Sequence, residues 1–182
     1  MGFSCDNGRL LMLRLPLSPR TGFALIASAC ALLLAFGYYL QYGQGLQPCP
    51  LCLVQRGFFY AVLAVCAAGA VHGRWMGFYG VLAALFAAGG AATAGRQVWL
   101  QHLPPDKQPQ CGPDLYFMLD NFPLARTLKT LISGTGECAA VDWTFLGLSI
   151  AEWSLLWFVG FAVLLVWLVV ATRRRITGLR PA

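Results

Sequence analysis

The residues of this 182-residue chain with the greatest chemical reactivity are its seven cysteines, and two of them, Cys49 and Cys52, stand close together in a Pro-Cys-Pro-Leu-Cys segment. A disulfide between cysteines so near in sequence closes a small ring and restrains the unfolded chain very little. The same spacing lowers the pKa of one thiol and makes exchange with other disulfides easy. The pair therefore predicts a dithiol that is repeatedly oxidised and reduced.

Two further cysteines, Cys111 and Cys138, are separated by 26 residues, positions 112 to 137. They could form a structural disulfide that does no more than tie down a loop. A zinc site is a second alternative, because four cysteines can bind the metal. Structural zinc sites usually contain two close pairs, so the wide spacing of the second pair makes zinc the less favoured alternative.

A positively charged residue, Arg56, follows Cys52 by four residues near the start of a long apolar segment. On a helix this spacing places both side chains on one face, where the guanidinium and the helix-start N–H groups would stabilise a thiolate. A charge at membrane depth indicates function by default, although an arginine that merely anchors the helix is a structural alternative. A dithiol at the lipid boundary needs an electron acceptor dissolved in the bilayer. A membrane quinone fits that need, and Arg56 could stabilise negative charge on its oxygen.

The composition indicates what kind of protein carries these residues. Of the chain, 58% is hydrophobic and only 11% is charged, whereas ordinary soluble domains carry about 25% charged residues. A soluble globular domain and a disordered chain are therefore excluded. The formal net charge is +6, but the basic residues mostly flank apolar segments instead of forming a stripe, so nucleic-acid binding is not expected.

Four apolar segments predict four membrane-spanning helices, since about 20 helical residues cross a bilayer core about 30 Å thick. The predicted helices cover about residues 21–42, 53–73, 75–95 and 146–171, and two outer loops cover about 43–52 and 96–145. The predicted fold class is an all-α integral membrane protein, in which residues 1–182 form one four-transmembrane-helix bundle.

The second outer loop is the longer one, and it contains both Cys111 and Cys138. Between these cysteines, residues 123–132 carry leucine and isoleucine at helical spacing, with Arg126 and Lys129 interspersed. This pattern predicts a short helix that lies along the membrane surface.

The distribution of lysine and arginine predicts the orientation of the chain. Eight of these residues lie in the termini and the short loop between the second and third helices, and five lie in the outer loops. The excess predicts that both termini are cytoplasmic. The cysteine loops would then face the periplasm of a bacterial inner membrane, where disulfides persist. Cys30 and Cys66 fall within the spans and are expected to be buried apolar side chains.

These features together resemble the DsbB family of bacterial disulfide bond formation proteins. The resemblance rests on the Pro-Cys-Pro-Leu-Cys segment followed by Gln55 and Arg56, on the four predicted helices, and on the second cysteine-containing loop. It also rests on the Gly-Glu-Cys-Ala sequence at 136–139 and the Trp-Thr-Phe-Leu-Gly-Leu sequence at 143–148. The match covers nearly the whole chain, and its motifs are specific in combination.

The resemblance implies a redox cycle. In the family, a reduced DsbA-like oxidase, which is a periplasmic protein with a thioredoxin fold, attacks the disulfide of the second outer loop. That disulfide corresponds here to Cys111 with Cys138. Cys111 would form the mixed disulfide with the oxidase, and electrons would pass to Cys49 and Cys52. Cys52 would then pass them to ubiquinone or menaquinone.

The resemblance also implies a quinone site that includes Cys52 and Arg56. Gln97 occupies about the place where the family has a polar residue near the quinone, although a residue that caps the outer end of the third helix would look the same in sequence. No metal ion is expected at this site.

Two alternatives differ from this interpretation. A vitamin K epoxide reductase-like protein also combines four helices, a Cys-x-x-Cys pair and a quinone, but there the pair lies near the start of a late helix. Here the pair precedes the second helix, which favours the DsbB family. The chain could also be a non-enzymatic membrane protein, such as a small transporter or assembly factor, whose outer loops are held by structural disulfides.

Overall fold

The computed structural model describes residues 18–109, 123, 134–141 and 143–177. Most of these residues belong to four helices, each long and apolar enough to cross a membrane. The helices are α1 (Pro19–Gly43), α2 (Pro50–His72), α3 (Met76–Gln101) and α4 (Ile150–Thr177). The predicted four-helix membrane bundle is therefore confirmed. Cys111 and residues 124–132, where the surface helix is predicted, lie outside the described residues.

The helices pack around a shared core of apolar side chains. α1 packs on α2, α2 packs on α3, and α3 packs along much of α4, whereas α1 touches α4 only sparsely. The buried face of α3 is rich in glycine and alanine, and it includes Gly80, Ala83, Ala87 and Gly90. Small residues allow helix backbones to approach closely in a membrane. The contact between α3 and α4 is therefore the tight side of the bundle, and the loose side lies between α1 and α4.

Gly90 is the position in this contact where a side chain would be least tolerated. A Cβ atom there would overlap the ring of Phe158 on α4. That ring is fully buried and stacks on Phe59 with ring centroids 4.0 Å apart, so it has little room to move. We expect Gly90→Ala to destabilise the protein by about 1–3 kcal/mol, the usual cost of overpacking.

Gly160→Ala on α4 is the matched control for this prediction. A Cβ atom at Gly160 meets none of the described residues within 4 Å, so the control should not lower stability. The unfolding temperature in detergent, followed by tryptophan fluorescence, measures both variants. Equal unfolding temperatures for the two variants would show that the α3–α4 contact is looser than described.

Two helix starts differ from the predicted ones because local capping sets them. α2 begins at Pro50, earlier than predicted, since proline is favoured in a first turn where its missing N–H costs nothing. α4 begins at Ile150, later than predicted. There the Ser149 N–H donates to Glu152 Oε2 at 2.7 Å, and the Glu152 N–H donates to Ser149 Oγ at 3.3 Å. This reciprocal pair is a capping box.

Two helix ends extend beyond the predicted ones. A prediction based on charge ends α3 at position 95, before Arg96, but the helix continues to Gln101. Residues 96–101 contain neither glycine nor proline, so nothing in the backbone stops the helix at the membrane boundary. Gln97 is consequently a helical residue and not part of the outer loop. α4 likewise continues past its predicted end to Thr177, and α1 differs by only one or two residues at each end, which is within ordinary fraying.

A short β-hairpin, which the sequence pattern does not predict, precedes α4. Strand β1 (Thr144–Phe145) pairs antiparallel with β2 (Leu148–Ser149), and the turn residues Leu146 and Gly147 have positive φ angles of 53° and 81°. Trp153 Nε1 donates to the Phe145 carbonyl at 3.0 Å, which fastens the hairpin to α4. The hairpin lies where α1 and α3 end and α2 and α4 begin. This end of the bundle is called the cysteine end below.

Candidate functional site

Cys49 and Cys52 lie at the start of α2, where the sequence predicts them. Cys49 is the N-cap residue and Cys52 belongs to the first turn. Both are free thiols in the structure, and their sulfurs are 3.0 Å apart. A disulfide bond is about 2.05 Å long, so the pair needs only a small rotation of its side chains to form the bond when it loses two electrons and two protons.

A third sulfur joins this pair from a distant part of the chain. Cys138 ends a 3-10 turn (Gly136–Cys138), is fully buried, and packs in one apolar cluster with Cys49, Leu51 and Leu100. Gly134 makes this approach possible, because it has a positive φ of 80° and a Cβ atom there would press on Leu100 and Leu51. The segment that carries Cys138 therefore lies directly on the start of α2 and the end of α3.

The surroundings of Cys138 favour its thiolate form. Hydrogen bonding from the Cys49 thiol is the largest effect, and it lowers the pKa of Cys138 to about 6 against the opposing effect of burial. Backbone N–H groups of Leu51 and Thr135 act in the same direction, and the Leu51 N–H is one of the donors left unpaired at a helix start. The same contact with Cys138 raises the pKa of Cys49. A thiolate is the form that attacks a disulfide, and the Cys138 thiolate faces Cys49.

We therefore expect Cys138 of the reduced protein to titrate near pH 6, well below the ordinary value of 9.0. Cys49→Ala should raise the pKa of Cys138, because the thiolate loses its strongest hydrogen-bond donor. The pH dependence of the Cβ chemical shift of isotope-labelled cysteine measures both values. Cys30→Ala removes a thiol elsewhere in the core and should leave the titration unchanged. A Cys138 titration that does not respond to Cys49→Ala would contradict the hydrogen-bond assignment.

Gln97 lies between the two sulfurs of the pair and a second buried amide. Its Nε2 is 3.4 Å from Cys49 Sγ and 3.3 Å from Cys52 Sγ. Its Oε1 accepts a hydrogen bond of 2.7 Å from Gln55 Nε2. Gln97 is only 4% exposed, so it is not a solvent-facing helix cap. The sequence marks Gln55 only as part of the family motif, and its contact with Gln97 was not predicted. The one hint of a role at the site is that Gln55 follows Cys52 by three residues on the same helix face.

Arg56 is held against α1 by uncharged partners. Its Nη1 donates to Gln41 Oε1 and its Nη2 donates to the Gly37 carbonyl at 3.0 Å. The guanidinium also lies over the ring of Tyr38, 4.8 Å from the ring centroid. None of these three partners is a carboxylate, so the positive charge is oriented by them without being neutralised.

A cavity of about 600 Å³ lies beside the cysteine pair, between α1 and α4. Cys52, Arg56 and Gln97 are among the residues that line it. Much of the remaining lining is aromatic, and it includes Phe36, Trp143, Phe145, Trp153 and Trp157. The volume is within the range of small-molecule sites, which combine apolar walls with a few polar groups. The cavity thus fits a flat apolar ring with polar oxygens, which is the chemistry of a quinone head group.

Comparison with known proteins agrees with the sequence resemblance. Residues 19–168 match the family model described as Disulfide bond formation protein DsbB. A disulfide bond formation protein B of Methylococcus capsulatus is 50% identical over 155 residues, which cover 82% of this chain and 94% of the relative. A protein of the same description from Azoarcus sp. is 46% identical over 167 residues, which cover 90% of this chain and all of the relative. Disulfide bond formation protein B 1 of Pseudomonas aeruginosa is 46% identical over 147 residues, which cover 79% of this chain and 90% of the relative. The chain therefore belongs to the DsbB family of multi-pass membrane disulfide oxidoreductases.

Proposed function

We propose that this protein reoxidises a reduced DsbA-like partner, a soluble oxidase with a thioredoxin fold, and passes the electron pair to a membrane quinone. The observation that carries the proposal is the convergence of three cysteine sulfurs beside a cavity that also contains the Arg56 guanidinium. The overall result is that one partner dithiol becomes a disulfide while one quinone gains two electrons and two protons.

The first half of the proposed cycle consists of thiol–disulfide exchange. A thiolate of the partner attacks the Cys111 sulfur in the Cys111–Cys138 disulfide, so that a mixed disulfide forms and Cys138 leaves as a thiolate. The partner's second thiolate then attacks the mixed disulfide, which releases the oxidised partner and frees Cys111. The backbone N–H groups of Leu51 and Thr135, which also lower the pKa of Cys138, support its role as leaving group and as the next nucleophile, because they remain available while Cys49 is bonded to Cys52.

The electron pair then moves to the start of α2. The Cys138 thiolate attacks the Cys49 sulfur of the Cys49–Cys52 disulfide, and Cys52 leaves as a thiolate. Attack by Cys111 on Cys138 of the resulting bridge restores the outer disulfide. Cys49 and Cys52 are then left as the reduced pair. Burial of Cys138 against Cys49 in one cluster supports this order of attack.

The second half of the cycle takes place at the cavity. A membrane quinone, ubiquinone or menaquinone, supplies an acceptor of two electrons and two protons that is dissolved in the bilayer. The aromatic walls would hold its ring and exclude water, and Arg56 would place a positive charge where negative charge develops. Cys52 presents its sulfur to the same cavity, and Gln97 holds that sulfur in place. As the electron pair leaves, the sulfurs of Cys49 and Cys52 rejoin.

We further propose that the protein lies in a bacterial inner membrane, with both termini in the cytoplasm and the cysteine end at the periplasm. The excess of lysine and arginine in the terminal segments and the loop between α2 and α3 over the other two loops, eight against five in the sequence, supports this orientation. The periplasm is an oxidising compartment in which the outer disulfide would persist between cycles.

The proposal is tested by mixing purified protein anaerobically with reduced DsbA and a soluble ubiquinone and recording the quinone absorbance. We expect the quinone to be consumed, one molecule for each DsbA dithiol oxidised. A non-enzymatic protein with structural loop disulfides would leave the absorbance unchanged, and that result would overturn the proposal. A parallel run with a soluble menaquinone compares the two acceptor classes.

A further inference from the structure

Gln55 is a buried polar side chain that lines the cavity and to which the proposed cycle assigns no task. It lies on α2, only 3% exposed, one turn beyond Cys52. Burying an amide is costly unless it is hydrogen-bonded, and the partner that Gln55 has is the other buried amide of the site, Gln97. An apolar side chain could fill the same space without that cost. The hydrogen bond to Gln97 is therefore the feature of Gln55 that calls for an explanation.

The amide of Gln97 has two ends, and Gln55 determines which end faces the sulfurs. Gln55 Nε2 donates to Gln97 Oε1 at 2.7 Å, which leaves Gln97 Nε2 to donate toward Cys49 and Cys52 at 3.4 and 3.3 Å. If the Gln97 amide turned over, its N–H groups would face the N–H groups of Gln55. Its oxygen would then face two sulfurs, one of which carries negative charge during the cycle. The turned-over state is unfavourable on both sides.

Cys52 gains from the selected orientation in both of its protonation states. As a thiolate it accepts from Gln97 Nε2, and as a thiol it can donate to Gln97 Oε1, which is 3.5 Å from its sulfur. Hydrogen bonds to a charged sulfur are stronger than those to a neutral one. The orientation set by Gln55 therefore favours the reduced, thiolate-bearing pair over the disulfide. A disulfide whose reduced form is stabilised is a stronger oxidant.

We infer that Gln55 is a positioning residue, which fixes the Gln97 amide with its N–H groups toward Cys49 and Cys52 and so makes their disulfide easier to reduce. The inference rests on the proposed function, because it assigns Gln55 a task in the redox cycle of that pair. Gln55 also lines the cavity, but the described hydrogen bond of its side-chain amide goes to Gln97, and it acts on the cysteine pair through that bond.

The test is a double-mutant cycle, in which single and double variants of Gln55 and Gln97 are compared on the isolated Cys49–Cys52 pair. In protein that also carries Cys111→Ser and Cys138→Ser, the equilibrium of the Cys49–Cys52 disulfide with dithiothreitol is measured by thiol trapping and mass spectrometry. Gln55→Met keeps the length of the side chain and removes its donor. We expect it to lower the equilibrium constant for reduction about tenfold, which corresponds to about 30 mV for a two-electron couple. Gln97→Met should cause a loss at least as large.

The double variant distinguishes positioning from direct action. If Gln55 acts through Gln97, Gln55→Met should have no further effect in a Gln97→Met background, since coupled residues are not additive. Gln55→Asn, a shorter amide that does not reach Gln97, should resemble Gln55→Met and serves if the latter does not fold. Thr93→Val on α3, whose hydroxyl bonds only the Gly90 carbonyl among described contacts, should leave the equilibrium unchanged. Independent, additive losses, or an unchanged equilibrium in both Gln55 variants, would overturn the inference.

The test of Gln55 can be separated from the test of the proposed function, because the equilibrium with dithiothreitol is measured without quinone. Protein with its native cysteines is assayed for quinone reduction in parallel. If it reduces quinone while the Gln55 variants keep the unaltered equilibrium, the inference alone is wrong. If it reduces no quinone, the proposed function is wrong, whatever the equilibria show.

Discussion

Cys52→Ser should reduce the rate of quinone reduction at least about a thousandfold, as is usual when the reacting nucleophile of an enzyme is removed. A serine oxygen does not form a disulfide with Cys49. The variant therefore has no disulfide at these two positions that could accept electrons from Cys138, and none can form when electrons pass to the quinone. The first half of the cycle also stops early, because the attack of Cys138 on Cys49 has no leaving group to displace. The anaerobic assay of quinone absorbance with reduced DsbA measures the loss.

Two controls make the Cys52→Ser result specific. Cys30→Ala and Cys66→Ala remove thiols that are fully buried in the apolar core, and both should keep turnover at close to the original rate. A large loss in either, with the fold intact, would show that a core thiol takes part in the chemistry. Undiminished quinone consumption by Cys52→Ser would overturn the enzymatic role of the pair.

Arg56→Ala should lower quinone reduction about a hundredfold, the typical effect of losing one donor that stabilises developing negative charge. It should change the rate of thiol exchange with DsbA only slightly, because the proposed exchange with DsbA uses Cys111 and Cys138, and Cys138 is not among the residues that line the cavity. Stopped-flow mixing with quinone and, separately, with reduced DsbA measures the two rates. Arg56→Lys keeps the charge but loses the forked contact with Gln41 and Gly37. Its rate of quinone reduction should therefore lie between the rates of the unaltered protein and of Arg56→Ala.

The matched control for Arg56 is another cation at the cysteine end of the bundle. Arg96 lies on α3 and stacks over Trp99, 4.3 Å from the ring centroid, and it is not among the residues that line the cavity. Arg96→Ala should therefore leave quinone reduction close to its original rate. If Arg56→Ala slows both half-reactions equally, the arginine is a structural anchor of α2 and the proposed electrostatic role is wrong.

The membrane helices could be predicted from the sequence because the bilayer imposes a length and a composition on each span. Their exact ends could not, since hydrophobicity marks the membrane boundary and not the place where the backbone stops being helical. At α2 the proline at position 50 sets the start, and at α3 the helix continues past Arg96 until Gln101. The β-hairpin was missed because its strands have only two residues each, too few to establish an alternating pattern.

The candidate site, like the fold, could be predicted from the sequence only in part. Cys49, Cys52 and Arg56 could be placed together from spacing alone, because they lie within two turns of one helix. The approach of Cys138 to Cys49 joins positions 89 residues apart in the sequence, and only the family resemblance indicates it. The contact between Gln55 and Gln97 joins positions 42 residues apart. No periodicity in the sequence marks either glutamine as buried, so the amide pair becomes visible only in three dimensions.

The central claim is that the dithiol at the start of α2 hands its electron pair directly to a quinone. Protein carrying Cys111→Ser and Cys138→Ser isolates that step, because Cys49 and Cys52 are then the remaining two of the four cysteines that the proposed cycle uses. The reduced variant is mixed anaerobically with a soluble ubiquinone while quinone absorbance and free thiols are followed together. We predict that one quinone is reduced for each protein molecule as the Cys49–Cys52 disulfide forms. Persistence of both thiols beside unreduced quinone would contradict the claim.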